Sequence, residues 1–157
     1  MANLISPIFI LSLIFFLTVE KVYPGGDLSS SGPGDPVIQE FLQLVDAKRR
    51  SVGCPELKWD NQLALVALEH SRDMISRNFF GHTNPDGKNP FERLQASNVV
   101  YSAAAENIAF GLKTGRQAFE TWLSSPEHRK NMLDCRFTRH GVACVEGRWT
   151  HLLLKPR

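Results

Sequence analysis

Along residues 36–157 apolar positions recur at helical spacing in some stretches and alternate in others, and each change of period marks a new element. Asp35 before Pro36 sets a helix start, with a side-chain acceptor at the cap and φ already fixed at the first helical position. Val37, Phe41, Leu44 and Val45 follow at helical spacing, predicting an amphipathic helix that ends near Gly53. A second helix begins at Asp60; Leu63, Ala67, His70 and Met74 share its inner stripe, which predicts a hydrogen-bonded core role for His70. Asn89, Pro90 and Glu92 form a capping-box start for a short third helix through Gln95. Thr114 with Gln117 opens a fourth, facing inward with Phe119, Trp122 and Leu123, and Ser125–Pro126 restarts a fifth through Met132. Then "HGVACV" and "RWTHLLL" alternate about Glu146–Gly147 as a terminal β-hairpin, and "VVYSAAAENIAFG" contains one more strand. Helices on a small antiparallel sheet make the class α+β with layered packing.

The chain before Asp35 reads differently. Ile8–Leu17 is apolar except for Ser12, the length of a signal-peptide core and short of a bilayer span. No Lys or Arg precedes this run and no clear small-residue cleavage site follows it, so residues 1–22 read as a signal peptide or as an uncleaved membrane anchor. Either reading places the rest outside the cytoplasm, with membrane contact only through the N-terminal apolar segment. Residues 23–35, which include "PGGDLSSSGPGD", form a Gly-, Ser- and Pro-rich linker, leaving one domain over 36–157.

Composition narrows the picture little: 43% apolar and 22% charged residues are ordinary for a globular domain, and a net charge of +2 does not mark a partner. The clusters Lys48, Arg49, Arg50 and Arg129, Lys130 read as solvated helix faces, since no basic stripe with interleaved aromatics accompanies them; no nucleic-acid partner is expected.

Candidate chemistry sits in three separate segments. His82 lies in "FFGHTNPDG", a turn-rich loop after the second helix. Glu106 lies inside "AAAENIAFG", where a carboxylate needs a partner because burying an unpaired charge is expensive. His128 lies in the first turn of the fifth helix, where the helix dipole favours neutral imidazole, with Glu127 beside it. Two neutral imidazoles and a carboxylate suit a zinc site with one open position. Spacing alone is a weak signal: there is no HExxH, no G-x-S-x-G elbow and no phosphate-binding glycine loop.

Read in order, "ELKWD", "LEHSRDMISRNFFGHTNPDGKNPFERL", "AENIAFG", "AFETWLSSPEHRKNML" and "FTRHGVAC" resemble the bacterial branch of the CAP superfamily (cysteine-rich secretory, antigen-five and pathogenesis-related proteins), also called the SCP domain, from about Pro36 to the end. The resemblance implies an α-β-α sandwich with a central antiparallel sheet flanked by helices. It also implies a cleft lined by His82, Glu106 and His128, with His82 and His128 as the metal-binding pair. The sequence departs from the family pattern at three places: Ala105 stands where glycine is usual, Ser125 where longer members carry a second glutamate, and Glu127 where glycine precedes the histidine. Glu127 can supply a carboxylate from a nearby position or complement the helix dipole.

The resemblance also pairs Cys54 with Cys135, closing a loop of roughly 80 residues worth up to ~4.5 kcal/mol in the chain-entropy model. Cys144 is then left as a small hydrophobe in an alternating strand. The sequence alone leaves Cys135–Cys144 open as the rival pair.

The function expected from all of this is a binding module for a metal ion, lipid or other small ligand, or for an envelope component. Two alternatives stand beside it: a zinc-dependent hydrolase in which His82 and His128 hold the metal and Glu106 is the base, and a structural or stress-related envelope protein that uses no cleft.

Overall fold

The structure, a computed structural model, describes residues 32–157. The expected signal peptide or anchor, and most of the linker, fall outside the described residues. Five helices, α1 (Pro36–Ser51), α2 (Asn61–Ser76), α3 (Pro90–Ala96), α4 (Gly115–Ser124) and α5 (Pro126–Leu133), accompany four strands, β1 (Lys58–Trp59), β2 (Ala103–Phe110), β3 (Arg139–Val145) and β4 (Arg148–Lys155).

The helix starts form as their caps dictate. Asp35 accepts from the Val37 and Ile38 amides, Asp60 from those of Gln62 and Leu63, and full capping boxes close at Asn89/Glu92 and Thr114/Gln117. Past α2 and α3 the chain turns through left-handed Asn78 (φ 49°) and Asn98 (φ 56°), one of the few residue types that tolerates this conformation.

The sheet order is β1-β3-β4-β2. It is antiparallel through β2, β4 and β3, and the β3–β4 hairpin turns on Glu146 (φ 47°) and Gly147 (φ 75°), the two left-handed positions that match strand twist. β1 runs parallel to β3 at the edge. Its two residues are too few to show any alternation, so the sequence pattern did not reveal it.

Alternation along each strand sends neighbouring side chains to opposite faces. Trp149 and Leu153 of β4 and Val142 of β3 join Ile38, Phe41, Val45, Ala118, Trp122 and Met132 beneath α1, α4 and α5. Leu152 and Leu154 of β4 and Ala143 of β3 join Leu63, Val66, Ala67 and Leu94 beneath α2 and α3. The result is the expected α-β-α sandwich. At Gly141 a Cβ would run into the backbone of Leu63 and Ala64, so its absence lets α2 lie directly on β3.

One reading of the charged clusters is corrected. Arg49 is fully buried rather than solvated, because it continues the inner stripe Ile38, Phe41, Val45 by one more turn. Its guanidinium donates to the carbonyls of Pro55 (2.9 Å), Met132 (2.7 Å), Asp134 (3.2 Å) and Phe137 (2.8 Å), tying α1 to the end of α5. Beside this clamp Cys54 and Cys135 form the disulfide, which removes the Cys135–Cys144 alternative. Cys144 is free and packs partly buried against the α1/α4/α5 core, where burial pushes its thiol up to about 11. Among the described residues no helix is long and apolar enough to cross a membrane.

Candidate functional site

β2 is an edge strand, and its consecutive residues Glu106 and Asn107 point to opposite faces of the sheet. Each of them secures one of the two histidines.

On the α2/α3 face, Glu106 has a side chain only 2% exposed. Its Oε1 lies 2.8 Å from His82 Nδ1, and its Oε2 accepts from Arg93 at 2.6 Å. The burial that made a lone carboxylate implausible is therefore answered by two partners. An ionised carboxylate only accepts, so His82 Nδ1 carries the proton in this pair, and neutral His82 keeps its lone pair on Nε2. The His82 side chain is 49% exposed, so this ring is held at one edge and open at the other.

The loop carrying His82 is tied at several points. His70, 1% exposed, bonds the Gly81 carbonyl through Nε2 at 3.0 Å, fulfilling its expected core role. Arg93 also donates to the His82 carbonyl (2.7 Å) and the Lys88 carbonyl (3.0 Å). Arg77 grips Asp86 through both terminal nitrogens at 2.6 and 2.9 Å, and Asn84 donates to Asp73 at 3.1 Å. Such a network fixes the loop's register against α2 and leaves the imidazole little freedom to swing.

On the other face, buried Asn107 donates to the His128 carbonyl at 3.0 Å and accepts from Asn131 at 2.9 Å, docking the first turns of α5 against β2. His128 is driven toward its neutral form, first by burial and then by the nearby His82, while Glu127 opposes. His128 Nδ1 is buried without a hydrogen-bond partner. The two imidazoles are near enough for His82 to act electrostatically on His128.

Glu127 is exposed in the first turn of α5 and acts on His128 only at the level of charge. Ser125 makes no side-chain cap bond and supplies no carboxylate at the position where the second family acid is missing. Ala105 fits without strain, paired with Leu153 in the ladder and packed against the α1/α4/α5 core. Among the described residues no group of three or more His, Cys, Asp or Glu side chains could hold a metal ion. With the Glu106 side chain 2% exposed and turned to His82 and Arg93, the donors toward zinc are the two imidazoles, fewer than a protein zinc site supplies.

Two functional residues escaped the sequence reading. Arg93 carried no signal separating it from Lys88 or Arg77, although a buried glutamate demands some cation. Asn107 had one: a second polar residue directly after Glu106 in an apolar strand must face the opposite layer. Near the site, exposed Phe80 and Phe110 stand with ring centroids 6.2 Å apart, and the Arg148 guanidinium lies 4.7 Å from the Phe110 centroid.

The comparisons with known proteins agree with the fold. Residues 42–151 match the model of the CAP family, described as the cysteine-rich secretory protein family. The chain belongs to this family. It is 36% identical over 108 residues to the Bacillus subtilis protein YkwD, covering 69% of this chain and 42% of YkwD. It is 34% identical over 117 residues to the B. subtilis membrane protein YlbC, covering 74% of this chain and 34% of YlbC. The chain thus spans less than half the length of each of these relatives. Among solved structures, an extracellular SCP-domain protein from Bacillus anthracis is 37% identical, with a TM-score of 0.72 over 74% of this chain and 39% of that one. An outer surface protein from Borrelia burgdorferi, at 18% identity, shares the fold with a TM-score of 0.70 over 76% of this chain and 92% of its own.

Proposed function

We propose that this CAP domain is an extracytoplasmic binding module that seats a small amphipathic ligand, such as a lipid or an envelope component. The ligand's polar end engages His82 Nε2 and the neighbouring His128, and its apolar body lies on the Phe80–Phe110 rim. The observation that carries this reading is the burial and double pairing of Glu106. With Oε1 on His82, Oε2 on Arg93 and a side chain 2% exposed, the carboxylate acts as a holder that fixes the imidazole tautomer and is shielded from water. This disfavours the hydrolase arrangement with Glu106 as base. Location outside the cytoplasm is supported by the disulfide, by the apolar segment at Ile8–Leu17 and by the extracellular relative.

The test compares the full chain with the His82→Ala, His128→Ala double variant in retention of lipids from a membrane extract and in zinc titration by calorimetry. Lipid retention is expected to fall at least ~10-fold in the variant, and zinc to bind no tighter than two imidazoles allow. Retention equal to that of the parent chain removes the histidines from the function. Hydrolytic activity that disappears on chelation would restore the metal-enzyme reading.

A further inference from the structure

α2 meets the sheet at Thr150, whose hydroxyl lies 2.9 Å from that of Ser71. Alternation puts Arg148 next outward on the same face of β4, with its register partner Phe110 beside it at the end of β2. Phe110 is more than half exposed, and so is Phe80, which packs against it from the chain just past α2. The Arg148 guanidinium lies over the Phe110 ring. Bare aromatic rings bordered by a cation suit a membrane interface, where rings enter below the headgroups and a guanidinium stays level with the phosphates.

The chain enters the domain at this same end of the sheet. Asp35, the cap of α1, is close enough to Cys144 to act on it electrostatically, and Gly147 N–H donates to the Cys144 sulfur. The Gly147 carbonyl in turn accepts at 2.9 Å from Gly111, the residue after Phe110. A few positions on, Gly115 lies directly against the backbone of Val37 and Phe41 in α1. The apolar run Ile8–Leu17 is short of a bilayer span, and the chain from Leu17 to Asp35 can cover at most about 60 Å. A tether of that reach keeps a weak second contact at high effective concentration, so two rings suffice where they would not for a free domain.

We propose that residues 1–22 are retained as a membrane anchor and that the end of the domain carrying Phe80, Phe110 and Arg148 docks on the same lipid bilayer, with both rings in the interface. This surface shares its rim with the reading above and needs neither His82 nor His128.

The test reconstitutes the full chain in phosphatidylcholine/phosphatidylglycerol vesicles, with and without brominated acyl chains, and reads tryptophan fluorescence against the parent chain. Phe110→Trp is expected to add a blue-shifted emission that brominated lipid quenches at least ~2-fold. Val100→Trp, at a position at least as exposed but before the opposite end of β2, is expected to add an emission that brominated lipid leaves alone. Phe80→Ser in the Phe110→Trp chain is expected to reduce the quenching. His128→Ala is expected to leave the quenching intact while lowering lipid retention, so the docking and the ligand seat fail separately. The proposal is overturned if Phe110→Trp is quenched no more than Val100→Trp, if Phe80→Ser changes nothing, or if the mass of the chain recovered from producing cells shows residues 1–22 removed.

Discussion

Two arginines largely withdrawn from solvent lie on opposite faces of the sheet, and their partners differ. Arg49, fully buried, donates only to backbone carbonyls, of Pro55, Met132, Asp134 and Phe137. Arg93 donates to a buried carboxylate and two loop carbonyls, with Nε left over. The first fastens chain segments that no secondary structure joins. The second holds a charge that holds an imidazole. The histidines divide in the same way: His140 and His151 pair with each other at 3.2 Å among Phe41, Trp122 and Trp59, whereas His82 pairs with Glu106 and stays half exposed. Burial therefore does not by itself distinguish a functional polar residue from a structural one here; the identity and completeness of its partners do.

The comparison breaks most sharply at Arg49. Arg49→Ala strands four carbonyls beside the disulfide, and a loss of about 4 kcal/mol in urea unfolding is expected, with the His82 ring resonance unmoved. A loss under ~1 kcal/mol would mean that water replaces the guanidinium and that the clamp is dispensable. Next comes Arg93→Met, which leaves Glu106 buried beside His82 alone. About 3 kcal/mol is expected, and unlike Arg49→Ala it should shift the His82 ring resonances and weaken lipid retention. Equal disturbance of His82 by both variants would erase the distinction drawn here.

The smallest effect per residue is the response to acid. Burial, with Arg49 adding to it, lowers His140 to about 4, and His151 falls well below its ordinary value through burial, His140 and Arg49. An unfolded histidine takes up a proton near pH 6.5, while folded His140 does not until about 4. Over that window the unfolded state binds more protons, so stability is complete above about pH 6.5 and falls as pH drops through it. The expected slope is about 1.4 kcal/mol per pH unit for each such histidine. Urea midpoints between pH 7 and 5 measure it, and His140→Gln should flatten the slope. An unchanged slope would mean that other groups set the acid response.

Much of the molecule was legible before any coordinates. Asp35, Asp60, Asn89 and Thr114 cap the helices they announced, and the hairpin turns at Glu146–Gly147, because caps and turns are local: the residues that satisfy the backbone lie within a few positions of it. The demand for a partner at Glu106 was legible too, since the energetics of a buried charge do not depend on the fold. Which residue answers that demand was not. Arg93 and His82 reach Glu106 from 13 and 24 positions away, Arg49 meets Met132 across 83, and β1 is a strand only because β3 passes beside it. Those pairings depend on how α2, α3 and α5 pack about the edge of β2. The sequence specifies that packing only through the whole pattern of apolar faces, so the identity of each partner became visible only with the tertiary structure.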